Sequence, residues 1–277
     1  MSLTTKIIYG TAWKKERTVD LVVKAALNGF RAFDTACQPK HYREDLVGEA
    51  LALLQEKHNI KRGDLFLQTK YTPIGGQDTS QPLPYDPSDP ISKQIQSSCR
   101  KSLSNLRTTY LDSYILHSPL PTIEQTLEAW HALMKLQDEG TVRLIGVSNT
   151  YDVRILQALQ KARKVQVVQN RWYEGNDWDQ KVFNYCKELE IMYQSFWSLS
   201  GSPSLLTHPA VLQLAKMYNL TAAQIVFYVA QNEGIIPLSG TTNEVHMRED
   251  VAVEDIAFTK DGTEDLLQAV REFIKGN

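Results

Sequence analysis

A rhythm constrains this chain more than any single residue does: short apolar runs of strand type alternate with amphipathic helical stretches along its whole length. Eight such runs are read, at residues 6–10, 30–36, 65–71, 111–118, 143–149, 165–172, 191–197 and 234–240. Most are continuously apolar rather than alternating, the pattern of strands covered on both faces. Between them, residues 17–28 set Val19, Val22, Val23, Ala26 and Leu27 on one helical face. Residues 44–56 do the same with Leu46, Val47, Ala50, Leu51 and Leu54. Residues 123–139 carry Leu127, Trp130, Leu133 and Leu136 and stop at Gly140, a residue suited to ending a helix. Thr221 is placed to cap a helix over 222–232, and a last helix is predicted over 263–274.

Strands alternating with helices predict parallel βαβ units, and eight of them predict closure into an α/β fold, the (β/α)8 TIM barrel. The 277 residues suit one such barrel, so 1–277 reads as a single domain. A doubly wound open sheet shares the alternation, but the G-x-G-x-x-G fingerprint of a dinucleotide-binding Rossmann unit is missing. Residues 72–90, TPIGGQDTSQPLPYDPSDP, break the rhythm. They follow the third strand, so in a barrel they lie on the C-terminal face, where a long loop is expected to wall a substrate site.

Charge and cysteine content exclude several classes of function. The formal net charge is −2, with no long basic run, so no nucleic-acid partner is expected. No apolar run approaches ~18 residues, so no membrane span is expected. Cys37, Cys99 and Cys186 are odd in number and widely spaced, with no C-x-x-C, so neither a disulfide framework nor a metal site is expected. The opening MSLTTKIIYG has no apolar signal segment. The expectation is a cytoplasmic protein, monomeric or weakly oligomeric, acting on a small molecule.

Three polar residues end successive apolar strands: Asp34 ends FRAFD, Lys70 ends LFLQTK and His117 ends SYILH. In a barrel these positions point into one mouth, where such folds keep their chemistry. Each alone has a structural explanation, as a helix cap, a solvent-seeking amine or a satisfied core histidine. Three in succession are much harder to reach by chance.

At these residues the chain resembles the aldo-keto reductase superfamily. The resemblance is carried nearly end to end by GTAW (10–13), FDTA (33–36), YREDLVGEAL (42–51), LFLQTK (65–70) and LDSYILHSPL (111–120). It continues through GTVRLIGVSN (140–149), VVQNRW (167–172), SFWSLSG (195–201), the segment 222–242 and HMRED (246–250). It implies an NAD(P)(H)-dependent oxidoreductase that passes hydride to an aldehyde or ketone, reversibly. The implied tetrad is Asp34, Tyr42, Lys70 and His117. Tyr42 would be the general acid, since oxygen gains negative charge as hydride arrives. The Lys70 cation would lower a phenol pKa that is ordinarily about 10. Asp34 would hold Lys70, and His117 would hydrogen-bond the carbonyl oxygen.

The family's tyrosine usually follows its aspartate by about five residues. Here that position is Pro39, and the next tyrosine is Tyr42, eight on, so CQPKHY reads as a short insertion that leaves Lys40 and His41 beside the mouth. The other reading of Tyr42 is that it merely starts a helix. Cofactor contacts implied by the resemblance are Thr11, Ser148, Asn149 and Gln169, with Phe196 (or its neighbour Trp197) stacking on nicotinamide. Leu199 and Gly201 would line the pyrophosphate path. Trp13, Trp172 and Trp178 are candidate substrate walls. At the adenosine end the family usually has a Lys and an Arg for the 2′-phosphate. The matching positions are Gly240 and His246, beside Thr241, with Asp250 where an Asn is usual. NADP is therefore the expected cofactor, with NAD open and a narrow margin between them. Two alternatives stay open: a cofactor-binding regulatory or redox-sensing subunit with little turnover, and a lyase using Lys70 as a Schiff-base nucleophile.

Overall fold

The computed structural model describes residues 6–276, so the first five residues of the segment read for a signal sequence lie outside the described range. Eight parallel strands close into a barrel in sequence order: β1 Ile8–Gly10, β2 Ala32–Asp34, β3 Phe66–Tyr71, β4 Leu111–Leu116, β5 Val142–Ser148, β6 Val167–Arg171, β7 Met192–Phe196 and β8 Ile236–Ser239. Every apolar run of the sequence coincides with one of them, β5 beginning one residue before its run, and most strands are shorter than the run. β1 pairs with β8 through Ile8 and Leu238, which closes the ring.

Registration sets the heights of the polar residues. Asp34 lies beside Gln68, Lys70 beside Ile115, Ser148 beside Gln169 and Arg171 beside Phe196. Inside the barrel, Gln68 Nε2 donates to Gln194 Oε1 at 2.7 Å and Gln169 Nε2 donates to the same oxygen at 2.9 Å. These amides, from β3, β6 and β7, pair with one another, which is how buried amides avoid a desolvation penalty. They form the floor of the mouth.

The helices expected at 17–28, 44–56, 123–139, 222–232 and 263–274 are Thr18–Leu27, Glu44–His58, Ile123–Asp138, Ala222–Asn232 and Thr263–Lys275. Thr221 caps the fourth in a capping box with Gln224. Further helices cover Ile91–Asn105, Val153–Ala162, Gln180–Glu188, Pro209–Tyr218 and Glu244–Ala252. The first of these had little apolar signal because its buried face is Gln94, Ile95, Ser98, Cys99 and Ser102. Small residues let it approach Glu44–His58 closely: a Cβ on Gly48 would sit 1.9 Å from the Asn105 carbonyl oxygen. Among the described residues, no helix is long and apolar enough to cross a membrane.

Candidate active site

The four residues read as a tetrad meet at the C-terminal mouth. Lys70 is 1% exposed, and its amine lies 2.5 Å from Asp34 Oδ2 and 2.9 Å from the Thr35 carbonyl. The second carboxylate oxygen, Asp34 Oδ1, accepts from Gln68 Nε2 at 2.8 Å and Gln169 Nε2 at 3.0 Å. The ion pair thus rests on the polar floor with its oxygens satisfied, the condition under which a buried pair is tolerated. The Lys70 amine lies 5.3 Å from the centre of the Tyr42 ring. The Tyr42 ring meets His117 edge-on, with centroids 5.9 Å apart.

Tyr42 reaches this place through the CQPKHY insertion. Cys37 N–H bonds the Lys70 carbonyl at 3.2 Å, carrying the β2–β3 ladder past Asp34. The chain then turns tightly, with His41 and Tyr42 N–H both directed at the Gln38 carbonyl at 3.1 and 3.0 Å. Glu44 fixes the far side. Its buried carboxylate accepts from Thr69 at 2.5 Å and Asn105 at 3.0 Å, tying the start of the helix to the residue before Lys70. The motif YREDLVGEAL contained this anchor, but a glutamate in a helix's first turn reads from sequence as a dipole partner.

One expectation about the acid is corrected. Lys70 does not pull the Tyr42 phenol down; burial pushes it above its usual value, and the Asp34 carboxylate adds to the push. The Lys70 charge is engaged by Asp34, so Tyr42 faces a nearly neutral pair. Burial lowers Lys70 itself while Asp34 holds it up. Burial also holds His117 well below the ordinary imidazole value, with Lys70 and His41 adding in the same direction, so the ring is neutral.

A cavity of about 750 Å³ runs from this cluster across the mouth to the β8 end. Asp34, Tyr42 and His117 line one end, and Gly240, Thr241, His246 and Asp250 the other, with Ser148, Asn149, Gln169, Phe196 and Leu199 between. The sequence model of the Aldo/keto reductase family matches residues 4–271. The chain belongs to the aldo/keto reductase family.

Its relatives are similar over most of their length. The Bacillus subtilis oxidoreductase YtbE is 30% identical over 244 residues, 88% of this chain and 80% of that one. The Escherichia coli methylglyoxal reductase DkgA is 27% identical over 248 residues, 89% of this chain and 82% of that one. Among solved structures, an aldo/keto reductase from Brucella melitensis aligns with a TM-score of 0.78 at 24% identity, covering 95% of this chain and 94% of that one. A Bombyx mori aldo-keto reductase solved with NADP aligns at 0.79 and 20% identity, covering 98% and 89%. These two likenesses bear on the fold.

In this aldo/keto reductase some expected contacts lie elsewhere. Thr11 is buried off the cavity and spends its hydroxyl on the Asp34 carbonyl at 2.9 Å. Gly201 also lies off the cavity, packed under Tyr173. Trp172, read as a substrate wall, is 2% exposed and belongs to the core, because strand alternation turns Arg171 to the mouth and Trp172 away. Trp178 packs edge-on against Phe273 instead. The 72–90 loop contributes no residue to the cavity wall. Trp13 does line it, 66% exposed and tilted against His41 with centroids 3.8 Å apart.

The sequence reading passed over two cations on the cavity. Lys14, from the loop after β1, hydrogen-bonds the Gly240 carbonyl, and burial lowers it to about 8. Its position among lysines 14 and 15 gave no signal. Arg171 lies 5.3 Å from the Phe196 ring centre and 4.6 Å from that of Trp197, donates to Asn149 Oδ1 at 3.2 Å, and has a buried Nε without a partner among the described residues. Asn149 in turn donates to the His117 carbonyl at 2.8 Å. Asp250 accepts from Ser239 at 2.6 Å, and burial raises it to about 6.

Proposed function

We propose that this protein reduces an aldehyde or ketone with hydride taken from NADPH, with Tyr42 as general acid and Lys70, Asp34 and His117 in support. The observation that carries the reading is one cavity lined by Asp34, which pairs behind the wall with buried Lys70, by a phenol and a neutral imidazole, and also by Lys14. The wall suits a nicotinamide dinucleotide. Gln169 donates its amide hydrogens to Asp34 and Gln194, which leaves its carbonyl oxygen to accept from a carboxamide. Asn149 and Ser148 stand beside it, and Phe196 offers a ring face. Arg171 Nε and the Lys14 ammonium are donors suited to phosphate oxygens.

When bound, the cofactor supplies the hydride. The chain's own part is to receive the charge that then forms on the substrate oxygen. Tyr42, held protonated by burial, is in the form an acid needs, and an alkoxide is a strong enough base to take its proton. His117, being neutral, adds a hydrogen bond to the same oxygen without charging the site. The Lys70 ammonium, 5.3 Å from the Tyr42 ring centre, offsets the Asp34 carboxylate charge that would otherwise oppose the phenolate left behind, and Asp34 keeps that ammonium in place. Trp13 and His41 form the apolar wall nearest the acid.

NADPH is favoured over NADH by a narrow margin, because Gly240 and His246 stand where the family usually has a Lys and an Arg. The test is a panel of aldehydes and ketones assayed with both cofactors, beside nicotinamide fluorescence on binding. Turnover with NADPH is expected; binding without turnover would leave the regulatory reading, which draws on the raised phenol of Tyr42. The Schiff-base reading loses its ground, since Lys70 is 1% exposed, ion-paired and off the cavity wall.

A further inference from the structure

Thr72 opens the long loop that lines no part of the cavity, yet its side chain touches the site. Its hydroxyl lies 2.7 Å from His117 Nδ1, and Thr72 is 2% exposed. A neutral imidazole carries one N–H and one acceptor nitrogen, and its partner decides which is which. We propose that Thr72 is a positioning residue that donates its hydroxyl hydrogen to His117 Nδ1, holding the ring proton on Nε2, and that the 72–90 loop is the brace that holds Thr72. The proposal rests on the reading of His117 as a donor to the substrate carbonyl.

Counting hydrogens supports the direction. The Thr72 hydroxyl makes no other hydrogen bond among the described residues, so accepting from Nδ1 would leave its own hydrogen buried without an acceptor. Accepting would also turn a bare Nε2 lone pair toward the cavity, which repels a carbonyl oxygen. The brace is visible in the loop's other bonds. The Thr72 carbonyl accepts from Tyr85 OH at 2.7 Å and Gln77 Nε2 at 3.3 Å. Gln77 Nε2 also reaches the Cys37 carbonyl at 2.9 Å, and Gln38 Nε2 holds the Gly76 carbonyl at 2.5 Å. On the next strand, His117 N–H bonds the Tyr71 carbonyl at 2.8 Å, which fixes the ring's height against Thr72. The loop that sequence reading cast as a substrate wall thus works from behind the histidine.

The experiment is 15N NMR of the full chain carrying 15N-histidine, with the His117 ring signals identified by their loss in His117→Gln. The wild type is expected to show His117 neutral with the proton on Nε2. Thr72→Val, which keeps the shape and removes the hydroxyl, should shift the Nδ1 signal and lower kcat by about tenfold with NADPH affinity unchanged, and Thr72→Ser should restore both. A wild-type His117 with its proton on Nδ1 would overturn the proposal outright, as would a Thr72→Val protein with unaltered ring signals and kcat. If the valine variant does not fold, the wild-type tautomer alone decides. Full turnover in His117→Gln would instead sink the catalytic reading of His117 while the tautomer result stood.

Discussion

The Glu44 carboxylate accepts a 2.5 Å hydrogen bond from the Thr69 hydroxyl, and so ties the residue two places after Tyr42 to the residue just before Lys70. The segments that carry Tyr42 and Lys70 are thereby held by a buried contact that involves neither side chain. Glu44→Ala leaves the Thr69 hydroxyl and the Asn105 amide unpaired in the core, so a loss of roughly 1–3 kcal/mol is expected in urea unfolding. The variant should also lose turnover at temperatures where it is still folded. Unchanged kcat in a destabilised protein would show that the anchor serves the fold alone.

Tyr42→Phe keeps the ring against His117 and removes the proton. The expected outcome is a fall in kcat of roughly 10²–10⁴-fold with near-normal NADPH binding. Lys70→Met should lose activity similarly and stability as well, by about 3–5 kcal/mol, because Asp34 is left charged and buried. Combining it with Asp34→Asn should recover part of that stability without recovering turnover. Near-wild-type kcat in Tyr42→Phe would place the acid elsewhere.

Lys14 stands where Gly240 offers no side chain, so Lys14→Met is expected to weaken NADPH binding by about tenfold or more, and NADH less. A lysine lowered to about 8 is charged below that pH, so NADPH affinity should hold at neutral pH and decline as pH rises through about 8. A bound phosphate moves that decline upward. Titration of cofactor fluorescence against pH checks both points. Equal losses for NADPH and NADH would assign Lys14 to the pyrophosphate.

Asp179 is buried and accepts from Asn170 Nδ2 at 2.7 Å and Tyr193 OH at 2.8 Å, yet burial lifts it to about 6. Between the usual carboxylate range and that value the folded chain holds the proton while the unfolded chain has released it. Stability from this group therefore falls as pH rises through that window, by on the order of 2–3 kcal/mol, and is level above it. Asp179→Asn keeps an acceptor and removes the titration. Urea midpoints at the two ends of the window should differ less in the variant than in the wild type; equal differences would refute the assignment.

Much of this was legible without coordinates, because its cause is local and repetitive. Strands covered on both faces must be apolar throughout, so eight runs were countable, and Asp34, Lys70 and His117 stood out as polar residues where such runs stop. What no local pattern encodes is which atoms those side chains meet. Alternation along β6 turned Arg171 to the mouth and Trp172 into the core, a one-residue parity that an apolar run does not reveal. The buried face of the helix Ile91–Asn105 was hidden because its small polar residues answer to Gly48 and Glu44, not to a hydrophobic stripe. Tyr42 could be named from a motif, but its pKa direction depended on where Asp34 placed its charge and on how much water burial removed. The sequence by itself determined the barrel and the candidates for its chemistry, since periodicity and residue type are properties of the chain. Only the tertiary structure decided that Lys70 is committed to Asp34, that Lys14 crosses to Gly240 and that Thr72 stands behind His117, since each is a contact between segments far apart in sequence.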